Sequence, residues 1–321
     1  MDTATKIKLL KNMQRVRTLE ELCAELYTKE KIRGFLHLYI GEEAVATGVI
    51  SQLLPNDNVL GTYREHGHAL LKGVSAKKIF SEMFGKIDGC SKGRGGSMHL
   101  YSVTDRFFGG SGIVAAGIPQ ALGLAFAAKK LKESRRTVCF FGEGAMAEGA
   151  FHESMNMASL WNVPILFCCE NNFYAMGTAL SRSQSQIDLT SKARSYLIEA
   201  EKVDGMNVYE VFDKTKFALD YIEKEQRPFF LEFQTYRFRA HSMFDPELYR
   251  EKEEVEKWKT RDPIELAKKE ITKSFTDNEN LLFIKEWEEI QHGIMLEMSE
   301  AINFAENAKV ENFSDLSLEV L

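Results

Sequence analysis

No Cys-x-x-Cys pair occurs in these 321 residues; the five cysteines stand at 23, 90, 139, 168 and 169. Cys139, Cys168 and Cys169 lie inside apolar runs, where free thiols pack as small hydrophobes, so a reducing compartment and no structural zinc are expected. No segment approaches ~18 consecutive apolar residues, the length that spans a bilayer. Dense basic runs are missing too. With 41 Lys and Arg against 47 Asp and Glu, the formal charge is -6 and the pI about 5.8. That balance argues against nucleic acid as the main partner and against an acidic membrane surface, and for a small molecule or another protein. Met1 to Gly34 mixes acids with its bases and has no uninterrupted apolar stretch, unlike a signal peptide or an organellar presequence, so a cytoplasmic location is expected. Internal repeats, low-complexity tracts and linkers are absent as well.

What is present suits a soluble α/β protein. Hydrophobic residues make up 44% of the chain, enough for a full core in one large α/β domain or two ordinary ones. Residues 5–32 read as an amphipathic helix ending at Gly34, with Ile7, Leu10, Met13, Val16, Leu19 and Leu22 at three-residue steps. From Gly34 to Gly123 short helical runs alternate with glycine-rich loops, among them "GCSKGRGGSMH". One RGG-like fragment in an acidic chain is a weak nucleic-acid signal, and a backbone passing close to a ligand or another subunit fits it better. Residues 114–131 read as an alanine-rich helix, 137–172 as strand, helix, strand, and 228–238 as a further buried strand. Strands alternating with helices imply a doubly wound, mostly parallel sheet with its ligands beyond the carboxyl ends of the strands. After about residue 250 the chain becomes charged and helical. "DPIE" at 262–265 offers an N-cap Asp, Pro at the first helical position and Glu three after the cap. A last helix places Trp287, Ile290, Ile294, Met298, Ala301 and Phe304 on one face. The expected organisation is one domain over 1–250 with a helical extension, 251–321, packed on it.

The informative stretch is "VCFFGEGAMAEGAFHESMNMASLWNVPILFCCENNFYAMG". Val138 to Phe141 feed Gly142-Glu143-Gly144; Ala147, Phe151, Met155 and Ala158 follow at helical spacing; Val163 to Cys169 then release Glu170-Asn171-Asn172. In a right-handed strand-helix-strand unit both strands point the same way, so Glu143 and Asn172 emerge side by side. A carboxylate and an amide oxygen suit Mg²⁺, which takes one or two protein oxygens and completes its octahedron with water and phosphate. Gly142, Gly144 and Ala145 are small enough to let a diphosphate approach the turn, and the next helix offers its N-terminus to the negative charge. A plain strand-helix turn followed by an Asn-Asn turn is the simpler alternative. A dinucleotide fingerprint fits less well, because Gly142, Gly144 and Gly149 read GxGxxxxG.

"GEGAMAEG…CENNFYAMGT" resembles the thiamine-diphosphate signature that begins Gly-Asp-Gly and ends Asn-Asn. With "RGFLHLYIGEEA", "YREHGH", "KGRGGSMH", "GGSGIVAAGIP" and "YRFRAHSMFDPELYR", collinear over roughly residues 10–260, the chain resembles α subunits of the 2-oxo acid dehydrogenases, most closely bacterial pyruvate dehydrogenases; acetoin and branched-chain enzymes share most of these motifs. The resemblance implies the thiamine-diphosphate-binding fold, thiamine diphosphate with Mg²⁺, and a division of labour with a β subunit in an α2β2 heterotetramer. That partner would supply the glutamate facing the aminopyrimidine. It further implies decarboxylation of a 2-oxo acid and acyl transfer to the lipoyl group of a dihydrolipoyl acyltransferase.

Carried over by position, Glu143, Asn172 and the Tyr174 carbonyl would hold the metal. Gly144, Ala145, Tyr63 and Arg64 would contact the diphosphate, and Ser102, Gly112 and Val114 would line the cofactor. His37 and His241 would be the catalytic pair, His241 also beside the diphosphate, a task suited to imidazoles with pKa near neutrality. His66 and His68 carry a weaker signal and would at most orient the loop; His99 and His292 read as structural, and His152 as a helix-surface residue. Two departures stand out. Glu143 replaces the family's Asp, which leaves a weakly metal-binding, non-catalytic scaffold as an alternative. Ser242 holds the position phosphorylated in mitochondrial relatives, but Phe244 replaces a further serine of that loop, so kinase control is not expected.

Overall fold

The computed structural model describes residues 1–312 and 314–315; residues 313 and 316–321, the end of the expected C-terminal extension, lie outside the described residues. The first half holds α1 (Thr3–Thr28), α2 (Glu43–Ile50), β1 (Asn58–Leu60), α3 (His66–Lys72), α4 (Ala76–Met83) and α5 (Gly117–Lys130). Then come β2 (Thr137–Gly142), α6 (Gly149–Leu160), β3 (Ile165–Asn171), the two-residue strands β4 (Tyr174–Ala175) and β5 (Thr178–Ala179), α7 (Leu180–Ser183) and α8 (Leu189–Arg194). The chain closes with β6 (Glu199–Asp204), α9 (Val208–Glu225), β7 (Phe229–Gln234), α10 (Lys252–Lys259), α11 (Pro263–Thr272) and α12 (Asp277–Asn307).

Five strands form one parallel sheet in the order β1-β2-β3-β7-β6, and β4 and β5 form a separate antiparallel hairpin. The central strands are buried on both faces, as a parallel sheet covered by helices requires. Val138, Phe140, Leu166, Cys168, Leu231 and Phe233 belong to the core shared with α1, α2, α4 and α9. Their alternates Cys139, Phe141, Ile165, Phe167, Cys169 and Phe230 belong to the core shared with α5, α6 and α8. Cys168 and Cys169 therefore face opposite ways despite being neighbours, and burial pushes both thiols well above their usual range.

Several expected boundaries move, each for a local reason. α1 stops at Thr28 because Lys29 caps it and Glu30 takes a positive φ of 57°. α5 begins at Gly117 rather than 114, since Ala115 is left-handed at φ 65° and cannot continue a helix. After Gly142 the chain makes a short 3₁₀ turn, Glu143–Ala147, before α6 starts at Gly149, so Ala147 lies outside the helix and no long helix begins at Gly144. The last strand ends at Gln234, after which Thr235 N–H bonds to the Asn171 carbonyl and the chain leaves the sheet.

At the C-terminal end Asp262 caps α11 by accepting from Ile264 N at 2.8 Å, with Pro263 in the first turn. Helix α12 packs on α4 and α1 through Ile294, Met298, Ala301 and Ala305; Phe304 stays at the rim, beneath Lys77. No helix among the described residues is long and apolar enough to cross a membrane.

Two buried ionic devices hold the loops that lead to the site. Arg17 donates to both oxygens of Glu43 and, through Nη1, to Asp262 Oδ2 at 2.9 Å, tying α1 to the starts of α2 and α11. The buried Glu82 of α4 accepts from four backbone N–H groups of the glycine-rich loop: Ser91 (2.7 Å), Gly93 (2.8 Å), Gly95 (2.7 Å) and Gly96 (3.2 Å). A carboxylate satisfied this way fixes a loop that has no ladder of its own. Each such bond contributes about 1 kcal/mol or more net. Glu82→Ala should therefore leave the helix content intact while hydrogen exchange at these four amides speeds up by roughly tenfold; unchanged exchange there would refute the staple.

Candidate active site

Strands β2 and β3 pair with Gly142 opposite Glu170, so the residues that follow each strand leave the sheet together. Asn172 N donates to Glu143 Oε2 at 3.3 Å, and Asn172 Nδ2 donates to Glu42 Oε1 at 3.0 Å. Glu42 arrives from the turn before α2. Gly41 there adopts φ 103°, and a Cβ on it would sit 2.3 Å from the Tyr236 carbonyl oxygen, so no other residue fits that approach. Gly144 is equally constrained, because a Cβ would lie 2.6 Å from the Ala175 Cβ of the β4–β5 hairpin.

Glu42, Gly142, Glu143, Gly144, Asn172 and Ala175 line one cavity of about 730 Å³ at the carboxyl edge of the sheet. Of the sequence-derived candidates, His37, Tyr63, Arg64, Gly112, Val114, Glu143, Gly144, Ala145, Asn172, Tyr174 and His241 are all in its wall. Ser102 is not. It exchanges backbone hydrogen bonds with Phe107, and its hydroxyl donates to Asp105 Oδ2 at 2.6 Å. Glu42, Glu170 and Arg237 also line the cavity, and sequence reasoning passed over all three. The available signal was that each sits inside a motif already singled out, "YIGEEA", "CENNFYAMGT" and "YRFRAH".

Several buried polar atoms of this wall have no hydrogen-bond partner in the protein: Glu42 Oε2, Glu143 Oε1, Asn172 Oδ1, Arg237 Nε and Nη1, and His37 Nδ1. An unsatisfied buried group costs about 1–3 kcal/mol, more when charged, so such a cluster marks a place where a ligand completes the bonding. The oxygens of Glu143 and Asn172 are hard donors suited to Mg²⁺. The Tyr174 carbonyl accepts from Arg237 Nη2 at 3.1 Å and keeps a second lone pair. The same wall carries two buried guanidiniums. Arg237 has two nitrogens without a protein partner, Nε and Nη1, and Arg64 donates to the carbonyls of Leu38 (2.7 Å) and His241 (2.8 Å), with Nε 3.7 Å from Glu42 Oε2. Burial raises the Glu143 carboxyl, and it pushes Glu42 up to about 7 against the opposing pull of Arg64.

Two histidines meet across the cavity. The His37 and His241 rings are 5.0 Å apart edge to face, and Tyr63 packs on both, at 4.5 and 5.6 Å. Expected near neutrality, their pKa values instead fall to about 2 for His37 and about 3 for His241. Burial removes the water that would stabilise an imidazolium, and Arg64 repels the second charge. Both rings are therefore neutral and offer one donor and one acceptor each. The His241 loop is held by its own contacts: His241 N donates to Asp245 Oδ2 at 2.9 Å, and Arg250 donates to the carbonyls of Arg237 and Arg239, both at 2.7 Å. His68 Nε2 is 3.1 Å from Glu170 Oε1, with Tyr39 OH on the same oxygen, and His66 bridges Glu20 and Ser97. His152 meets the Tyr196 hydroxyl at 2.7 Å; His99 and His292 are exposed.

A parallel sheet covered on both faces, with a carboxylate, an amide and two guanidiniums lining a cavity beyond its strand ends, defines an α/β protein whose ligand site lies at the carboxyl edge of the sheet. The family model described as "Dehydrogenase E1 component" matches residues 11–314, and the chain belongs to that family. Among its relatives is the protein named pyruvate dehydrogenase E1 component subunit alpha of Rickettsia bellii, 41% identical over 314 residues, covering 98% of this chain and 95% of that one. The proteins of the same name from Porphyra purpurea (42% over 322 residues; 97% and 92% covered) and Zymomonas mobilis (39% over 322 residues; 100% and 89%) are comparably similar.

The two depressed histidines make stability depend on acid. An unfolded chain takes up protons on histidine near pH 6.5, whereas the folded cavity refuses them until about 3 and about 2. Between those limits the unfolded state binds more protons, so stability falls as the pH drops below about 6.5. Denaturant unfolding of the cofactor-free chain at pH 7.5 and pH 5 should show this loss, and a variant carrying both His37→Gln and His241→Gln should lose less. An equal loss in both proteins would contradict the neutral assignment.

Proposed function

We propose that this chain is the α subunit of a pyruvate dehydrogenase of the acetyl-transferring type. It would decarboxylate pyruvate oxidatively and acetylate the lipoyl group of a partner acyltransferase, with thiamine diphosphate and Mg²⁺ as cofactors. The observation that carries this reading is the set of unpartnered Glu143 and Asn172 oxygens and unpartnered Arg237 nitrogens in the wall of one cavity, joined to the names of the relatives. When bound, thiamine diphosphate supplies the carbanion and the electron sink for decarboxylation.

The protein's part is orientation and charge. Glu143, Asn172 and the Tyr174 carbonyl hold the metal; Gly144 and Ala145 give the diphosphate room; Tyr63, Arg64 and Arg237 take its oxygens; Gly112 and Val114 border the cofactor. His37 and His241, neutral and facing one another, donate to the substrate carboxylate or to the oxygen that gains charge, and each can pass one proton. In this reading the site is half-built. Its neighbourhood exposes Ile113 (72%), Phe244 (77%) and Leu248 (90%), apolar surface that a β subunit would cover while supplying the glutamate for the aminopyrimidine. The α2β2 assembly, and a cytoplasmic location, belong to the same reading.

Calorimetric titration of the co-expressed α/β complex with thiamine diphosphate should show Mg²⁺-dependent binding. Steady-state assays should show decarboxylation of pyruvate ahead of branched-chain 2-oxo acids and acetoin, and none by the α chain alone. Arg237→Gln should weaken cofactor binding by about 10- to 100-fold, the worth of charged hydrogen bonds of about 1.5–3 kcal/mol. Metal-independent binding, or full turnover by the α chain alone, would overturn the proposal.

A further inference from the structure

An asparagine presents an oxygen to a metal only when its amide is turned the right way, and an amide has two nearly isosteric ends. Asn172 lines the cavity beside Glu143, one residue past the end of β3. What meets its Nδ2 is Glu42 Oε1, at 3.0 Å and 130 residues away in sequence. In its ionised form, which Arg64 and the Asn172 amide both favour, the Glu42 carboxylate accepts and does not donate, so it takes the NH₂ end of the amide and leaves Oδ1 as the end that faces no protein partner. Glu42 is itself held on both sides. Glu43, the next residue, is clamped by Arg17 and accepts from Gly41 N at 3.0 Å, and the other Glu42 oxygen lies 3.7 Å from Arg64 Nε.

From this geometry we infer that Glu42 is a positioning residue for the metal site: it fixes the Asn172 amide with its oxygen toward the ion. The inference rests on the metal-bound diphosphate reading of the cavity given above. Glu42 contributes no ligand atom in this role; it removes the competing orientation, in which a nitrogen would face the cation. Partners of this outer kind typically account for 10- to 100-fold in metal affinity.

A double-variant cycle tests it, because an aspartate at 172 offers oxygen from either end and needs no orientation. In the α/β complex, with thiamine diphosphate held constant, the apparent Mg²⁺ affinity is read from cofactor-induced fluorescence quenching or calorimetry. Glu42→Ala should weaken it by about 10- to 100-fold, whereas Glu42→Ala in an Asn172→Asp background should match Asn172→Asp alone. A loss that persists in the Asn172→Asp background would assign the effect to the freed Arg64 and overturn the inference, as would a Glu42→Ala protein with unchanged Mg²⁺ affinity. Should Glu42→Ala fail to assemble, Glu42→Gln carries the same cycle: glutamine both donates and accepts, so it admits both amide orientations, and a smaller loss that Asn172→Asp again cancels is expected. Absence of Mg²⁺-dependent binding in the unsubstituted complex would instead sink the reading of the site, a distinguishable failure.

Discussion

The parallel register between β2 and β3 is the constraint on which the site depends. Both strands are sealed between two helical layers, so polar side chains have nowhere to go until the strands end. Pairing Gly142 with Glu170 makes those ends coincide. Glu143 and Asn172 then share one small volume as a consequence of backbone hydrogen bonding, before any side chain has chosen a partner. The extra methylene of Glu143, relative to the aspartate of the family signature, is taken up here: one oxygen turns to the Asn172 N–H at 3.3 Å and the other is left free.

Around that point the protein accumulates charge that it does not neutralise by itself. Glu42, Glu143, Glu170, Arg64 and Arg237 share one cavity wall, all of them buried. Fully paired, such a cluster would be a rigid core; partly paired, it carries a cost of several kcal/mol that a cation and an anion together can offset. The same desolvation holds His37 and His241 neutral. Low dielectric thus sets both the binding affinity of the cavity for a charged ligand and the protonation state of the groups beside it.

Stability for so unsatisfied a site comes from behind it. Arg17 with Glu43 and Asp262, Glu82 with the amides of residues 91–96, and Arg250 with the carbonyls of Arg237 and Arg239 each satisfy a buried charge with several hydrogen bonds. They fix the three loops that deliver Glu42, Met98 and His241 to the cavity. The Glu20–His66–Ser97 chain does the same for the start of α3 and the end of the glycine-rich loop.

The sequence by itself determined the doubly wound sheet, the strand-helix-strand unit and the meeting of Glu143 with Asn172. Those follow from local patterns, two-residue alternation and glycine punctuation, combined with the fixed hand of parallel crossovers. It also brought His37 and His241 to attention through the motifs around them. Only the tertiary structure decided the rest. Ser102 lies outside the cavity wall, with its hydroxyl on Asp105 three residues on. The histidines lost their neutral pKa because burial and Arg64 act through space. Glu42 and Arg237 joined the site because contacts spanning 130 and 63 residues of sequence placed them there. Local pattern encodes which face a residue takes; it does not encode what lies across the cavity from it.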